Sequence, residues 1–393
     1  EACLPDRAAF AHGVSSATVL PASRWTRAHV AEIEVDTSRQ IPLITAPDVR
    51  PIVPGLDFWD MWPVQRRDGP VARFDGFELW MALSAPSLAD PVGRHDIARI
   101  RLLSLKGGVY RDCGDLLPAE FSPGSREWAG SAIVDDGGAS VTLYFTAAGR
   151  RGEKTRSVEQ RLFETSAPLV SGWGKPFGFG AWTPPVESVL ADGLDYVQTS
   201  IDPGEPGYIK AFRDPAYFRD QADGAEYLVF AASLKKSSSR WNGAIGIARR
   251  EGASWRLCPP LLSADELNNE LERPHVIARN GAYYLFWSTQ RHMFDPAGPS
   301  GPSGLYGMRA QTLFGPYEPL NGGGLVAANP DAEPFQTYSW LVLDTLEVVS
   351  FIDYWGMEGR TLASHPELKR RRFGGAPAPR FRLDLDGVRT RVR

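Results

Sequence analysis

The chain has 393 residues, with 43 Lys plus Arg against 47 Asp plus Glu and a formal net charge of −4. Its 43% hydrophobic and 23% charged residues exclude a disordered chain, and the near-neutral balance argues against a dedicated nucleic-acid binder. No run of about 18 apolar residues is present, so no membrane-spanning helix is expected.

The 39 glycines and 32 prolines punctuate short apolar runs along the whole chain, the pattern of many turns between short strands. Residues 1–50 read as irregular, because Pro21, Pro42 and Pro47 interrupt any long element. The chain opens at Glu1 without the charged and apolar regions of a secretory leader, so none is expected in this sequence. Strand-like runs then recur at residues 77–83, 97–105, 140–146 and 227–232. Residues 171–180 are glycine-rich, but they lack the G-K-[ST] ending of a phosphate loop. Residues 264–269 hold at most one or two helical turns. Residues 275–288 predict a hairpin, since Asn280-Gly281 suits the left-handed positions of a tight turn. Residues 346–354 form a late strand, and the basic run 369–372 reads as a solvated loop. Cys3, Cys113 and Cys258 match no zinc spacing, and an odd count precludes full pairing. More than 300 residues of hairpins without a linker need an architecture that manages sheet edges, either a β-propeller or a double sandwich.

Three acidic positions carry the chemistry. Asp60 lies in Phe58-Trp59-Asp60-Met61-Trp62, where apolar walls require a carboxylate to be paired, protonated or functional. The plain alternative is a capping Asp beside packed tryptophans. Asp214 lies in Phe212-Arg213-Asp214-Pro215, and Asp before Pro also begins ordinary turns. Glu270 and Glu272 flank Leu271, so an extended backbone points both the same way. Their mutual repulsion raises one pKa while Arg273 offsets the other charge; an exposed charge cluster is the bland reading. Paired carboxylates are the machinery of glycoside hydrolysis, one as nucleophile or base and one as acid. Which of them meet in space is not written in the residues.

The motifs WDMWP (59–63), EWAGSA (127–132), FRDP (212–215) and ELERPH (270–275) resemble, in this order, glycoside hydrolase family 68. That is the family of levansucrases, inulosucrases and bacterial β-fructofuranosidases. The stretches 300–307, 314–326, 334–339 and 350–353 resemble it too, the likeness runs from about 25 to 390, and its flavour is that of Gram-negative levansucrases. The resemblance implies an all-β chain, a single five-bladed β-propeller over 1–393 with a central acidic pocket, wrapped by segment 1–50. It implies Asp60 as nucleophile, Asp214 as transition-state stabiliser and Glu272 as general acid/base. Trp59 and Trp128 would line the fructosyl subsite, and Arg213 and Glu270 the glucosyl side. Arg273 and Tyr338 would hold substrate or orient Glu272. One of Gln290, Arg291 and His292 would tune transfer against hydrolysis; His292 alone reads as a polar loop residue.

The implied reaction is retaining cleavage of sucrose, with fructose passed to fructan, another sugar or water. Retention puts the Asp60 and Glu272 carboxyls roughly 5–5.5 Å apart. The alternatives are a hydrolysis-dominated β-fructofuranosidase and an inactive carbohydrate-binding propeller. A secreted or periplasmic location follows from where the family meets sucrose; the oligomeric state stays open. No cofactor and no metal are expected, since no Asp/Asn-rich loop resembles the calcium sites of Gram-positive members, and the disulfide of some Gram-negative members has no equivalent. Three positions depart from the family pattern. Ala129 stands where many members have Ser, Ala231 where they have Glu, and Trp340 where many have His. The lost Glu leaves some partner behind the site unmatched.

Overall fold

The computed structural model describes residues 22–172 and 175–393. Cys3, the first 21 residues of the irregular segment and residues 173–174 of the glycine-rich stretch lie outside the described residues.

The expected hairpin forms from Glu272–Arg279 and Ala282–Thr289, and Asn280 and Gly281 both take positive φ, 51° and 71°. Residues 264–269 make one hydrogen-bonded turn, closed by Asn268 N–H donating to the Ala264 carbonyl. Hairpins of this kind build five antiparallel blades in chain order. Blade I has the inner strand Leu56–Arg66, then Phe77–Pro86, Arg99–Lys106 and Val109–Asp115. Blade II has Arg126–Val134, Ser140–Ala148 and Gln160–Gly172. Blade III runs Phe212–Arg219, Glu226–Ser233, Gly243–Glu251 and Ser254–Ser263. Blade IV adds Gly304–Ala310 to the hairpin above. Blade V has Thr337–Val342, Glu347–Tyr354, Phe373–Pro377 and Phe381–Asp386. The result is a five-bladed β-propeller, in which only short strand edges face outward. Blades I and II are further joined where Val64 to Arg66 pair in parallel with Ala132 to Val134.

Each seam is filled by apolar side chains. Leu79, Met81 and Phe145 pack between blades I and II, and Val229, Ile247 and Trp287 between III and IV. Burying such a side chain stabilises the fold by about 1.5–3 kcal/mol. Residues 22–50 run over the outside of the propeller. Ser23–Arg24 pairs in parallel with the outer strand of blade III. Trp25, 1% exposed, packs against Trp287 and Tyr306 of blade IV. Ile44 N–H donates to Gln336 Oε1 beside blade V at 2.9 Å.

The basic run overturns its reading as a solvated loop. It is the short helix Leu368–Arg372, and its charges close the ring where blade V meets blade I. Lys369 reaches Asp90 and Arg370 reaches Asp57, each at 2.6 Å, while Arg372 lies over Trp355. Asp57 is 3% exposed and its other oxygen accepts from Ser87, so Arg370 supplies its compensating charge. Arg370→Ala is therefore expected to destabilise the protein by about 1–3 kcal/mol, the cost of stranding a buried acceptor. Urea unfolding would read the lower midpoint, and kcat of the folded fraction should not move.

Candidate active site

The five inner strands share one irregularity. Each loses register against its neighbour, at Trp59/Trp62, Trp128/Gly130, Arg213/Ala216, Glu272/His275 and Tyr338/Leu341. These bulges re-aim side chains that a regular pleat would send into the seams. Asp60, Asp214, Arg273 and Ser339 sit there at φ of 47°, 61°, 48° and 62°. A non-glycine residue in this left-handed region costs of order 1–3 kcal/mol and persists only where its surroundings hold it. Bonds between blades do so here. Asp214 N–H donates to Thr146 Oγ1 at 2.9 Å, and Arg273 N–H to Asp214 Oδ2 at 3.2 Å. The Arg273 guanidinium donates to the Met61 carbonyl at 2.8 Å and to Ser339 Oγ at 2.9 Å. In blade II the bulge admits only glycine, since a Cβ on Gly130 would lie 1.9 Å from the Tyr144 carbonyl oxygen.

The bulges surround a cavity of about 430 Å³. Every site residue expected from the sequence lines it: Asp60, Asp214, Glu272, Trp59, Trp128, Arg213, Glu270, Arg273, Tyr338, Gln290 and His292. Gln290 and His292 reach it from the rim, whereas the intervening Arg291 is exposed and does not line it. A larger open depression, about 680 Å³, lies at the other end of the inner strands. Three of its arginines are paired, Arg66 with Asp68, Arg67 with Glu226 and Arg73 with Glu78.

The charges are arranged differently from the sequence reading in one respect. The direct partner of the Glu270/Glu272 pair is Arg213, whose Nη2 lies 3.2 Å from Glu270 and 2.9 Å from Glu272, while Arg273 acts on Glu272 through its charge without an ion-pair contact. At the bulge the Arg273 guanidinium bonds Ser339, and its charge acts on Asp60 and Asp214 before Glu272. Tyr338 OH donates to the second oxygen of Glu272, so that carboxyl is gripped from both sides. Burial raises the Asp60 pKa, opposed by the Arg273 charge and a bond from Ser339. Burial pushes Asp214 up to about 7 against the pull of Arg213. Glu270 is likewise pushed up to about 7 by burial, with Arg213 opposing and Glu272 adding to the rise.

These shifts have a signed consequence for stability. Unfolded Asp and Glu titrate near roughly 3.9 and 4.3, so the folded state holds these protons more tightly. Their contribution to stability is whole below the unfolded values and is lost as pH rises through about 7. The Tm of Asp214→Asn relative to the unsubstituted protein should accordingly rise as pH goes from about 5 to about 8. A difference that stays flat over that range would contradict the shift at Asp214.

Several lining residues carried no legible signal. The turn Pro91–Asp96 brings Arg94 over the Trp59 ring at 5.2 Å and His95 edge-on to it at 5.7 Å. The His95 carbonyl accepts from Trp128 Nε1 at 3.2 Å. This one segment thus braces both tryptophans, although PVGRHD matches no motif. Ser339 and Asp353 also line the cavity. Asp353 had a visible clue, an acid ending the apolar run Ser350-Phe351-Ile352. Of the departures, Ala129 lines the cavity and Ala231 is fully buried opposite Arg213. Arg213 is not the partner left unmatched, since it has three carboxylates and Gln160. Trp340 is buried edge-on against Tyr338 and does not line the cavity. Among the described residues no His, Cys, Asp and Glu cluster is arranged to hold a metal ion, and Cys113 and Cys258 are free thiols.

The family model described as Levansucrase/Invertase matches residues 15–240 and 233–393 of the chain. A levansucrase of Zymomonas mobilis subsp. mobilis is 31% identical, over 96% of this chain and 92% of that protein. The levansucrase LscC of Pseudomonas savastanoi pv. glycinea is also 31% identical, over 94% of this chain and 90% of its own. Among solved structures, the inulosucrase from Halalkalicoccus jeotgali bound to kestose superposes with a TM-score of 0.87 and 37% identity, covering 94% of this chain and 95% of that one.

Proposed function

The chain belongs to the Levansucrase/Invertase family, glycoside hydrolase family 68, and from that premise we propose that its cavity cleaves sucrose by a retaining double displacement and hands the fructosyl unit to an acceptor. The observation that carries the assignment of roles is the convergence of Asp60, Asp214 and Glu272, from three different blades, on one cavity.

Glu272 in its protonated form gives its proton to the glycosidic oxygen while an Asp60 oxygen attacks C2 of the fructosyl unit. The C2–O bond to glucose breaks, glucose leaves, and a fructosyl ester on Asp60 remains. Glu272, now ionised, takes the proton from an acceptor hydroxyl whose oxygen attacks C2 and releases Asp60. Two inversions give net retention. Arg213 and Tyr338 keep the Glu272 carboxyl aimed through both steps. Asp214 holds fructosyl hydroxyls and favours the positive charge that develops on the ring. The Arg273 N–H and guanidinium fix Asp214 and the strand that carries Asp60.

A time course with sucrose tests the reading. Glucose well in excess of free fructose, with the missing fructose in oligosaccharide, is the expected result; release of neither sugar would overturn it. Equal amounts of both would instead assign a hydrolysis-dominated β-fructofuranosidase. The relatives include makers of both levan and inulin, so the linkage in the product is read from its carbon spectrum. His292 stands at the mouth where the acceptor must arrive. His292→Ala is expected to raise the hydrolysed share of fructosyl units about two- to tenfold, the effect of roughly one lost hydrogen bond. The rate of glucose release should change far less, because the donor-cleaving groups are untouched.

A further inference from the structure

We propose that Asp353 is a substrate-binding residue of this cavity, its carboxyl accepting a hydroxyl of the fructosyl ring that Asp60 attacks. The proposal rests on the sucrose-cleaving reading and adds to it a contact from an unexpected part of the fold. Asp60, Asp214 and Glu272 lie on inner strands, whereas Asp353 lies on Glu347–Tyr354, the second strand of blade V. It lines the cavity together with Phe351, Arg94 and Trp59.

The carboxyl of Asp353 is left over by the protein. Its backbone is committed, the N–H donating to the Gln336 carbonyl at 2.9 Å. Its Oδ1 is buried and has no hydrogen-bond partner among the described residues. Among the described residues Asp344 Oδ1 is the one other carboxyl oxygen buried without a partner, and it does not line this cavity; other buried carboxyls are bonded. Glu333 accepts from the N–H groups of Met357 and Glu358, Glu127 from Ile100 N–H beside its ion pair with Arg99, and Asp57 from Ser87 and Arg370. A buried acid without a partner is costly, and native proteins keep one where a ligand completes it. Burial pushes Asp353 up to about 6, with Asp60 adding to the rise and Arg94 opposing it.

The neighbours select the ligand. Trp59 Nε1 and Arg94 Nε are also buried without a partner, and both residues line the same cavity. Unused donors beside an unused acceptor match a hydroxyl, which both accepts and donates. An anion would face Asp353 and Asp60 together, and a cation would face Arg94. A neutral polyol meets neither repulsion. On the proposed reading the glucose side of the cavity is the Arg213/Glu270 side, whereas Asp353 is near enough to Asp60 for their charges to interact. The hydroxyl therefore belongs to the fructosyl ring.

The test is Asp353→Ala, with Asp353→Asn as the shape-keeping variant, each assayed for sucrose turnover, for inhibition by fructose and by glucose, and for Tm. Expected are a Tm held or raised, because no protein bond is lost, and a kcat/KM for sucrose about ten- to hundredfold lower for the alanine variant. Inhibition by fructose should weaken by a similar factor while inhibition by glucose stays as it was. Fructose inhibition unchanged in a folded variant overturns the proposal, and so does failure of both variants to fold, which would make the carboxyl structural. An unsubstituted protein that does not turn over sucrose would instead overturn the underlying reading, so the two failures are told apart.

Discussion

Asp60→Asn should reduce sucrose cleavage by at least about 10⁴-fold, the scale on which loss of a nucleophile is felt when the rest of the site is intact. The substitution isolates the chemistry. Asn has nearly the shape of Asp and is among the residues that tolerate the left-handed region, so the φ of 47° at this position does not argue against folding. The amide cannot form the fructosyl ester, and the other two catalytic carboxyls are held in their own places. Asp214 is held by Arg273 N–H and Arg213, and Glu272 by Arg213 and Tyr338. Removing the charge also removes the desolvation that raises the Asp60 pKa, so Tm should hold or rise. Sucrose should still bind, since the tryptophan walls and Arg213 remain. Calorimetry giving a Kd within about tenfold of that expected from an intact subsite, beside a lost kcat, would be the full signature. Retention of activity within tenfold would remove Asp60 from the mechanism.

The same position shows what a sequence does and does not carry. An acid between Trp59 and Met61 is legible as out of place, because apolar neighbours tax a charge whatever the fold. The hairpin at Asn280-Gly281 is legible because its turn chemistry is local. The bulges are not, since the extra residue in each inner strand is defined only against its partner across the ladder. That is why Arg273 reads from the sequence as the direct partner of this pair, a place that Arg213 holds. It is adjacent to Glu272 in the sequence, but its guanidinium reaches Ser339 and Met61 on other blades. The basic run at 369–372 misled for a similar reason. Its partners Asp90 and Asp57 are some 280 and 313 residues away in the chain. Nothing local distinguishes a solvated Arg from one that neutralises a buried Asp. Arg94 and His95 are silent in the sequence because they reach the cavity from a turn that matches no motif.

Glu272→Gln should separate the two halves of the reaction. Gln keeps the shape and can still meet Arg213 and Tyr338, but it neither gives nor takes a proton. With sucrose the leaving glucose needs that proton, so kcat should fall about 10²- to 10⁴-fold, the range that general acid–base catalysis supplies. With a fructosyl fluoride the leaving group departs as an anion without help, so the first step should stay within about tenfold of the unsubstituted rate. The ester on Asp60 then accumulates, because the acceptor hydroxyl has lost its base, and mass spectrometry of the quenched protein should find the added fructosyl unit. Azide needs no base to attack, so it should restore turnover of the fluoride and yield fructosyl azide of retained configuration. Asp60→Asn must show none of this, neither trapped ester nor azide rescue, because its defect precedes the intermediate. If Glu272→Gln instead lost sucrose and fructosyl fluoride equally and azide did nothing, Glu272 would be binding substrate rather than moving its proton. The grip of Arg213 and Tyr338 on both its oxygens would then be a device for holding shape alone.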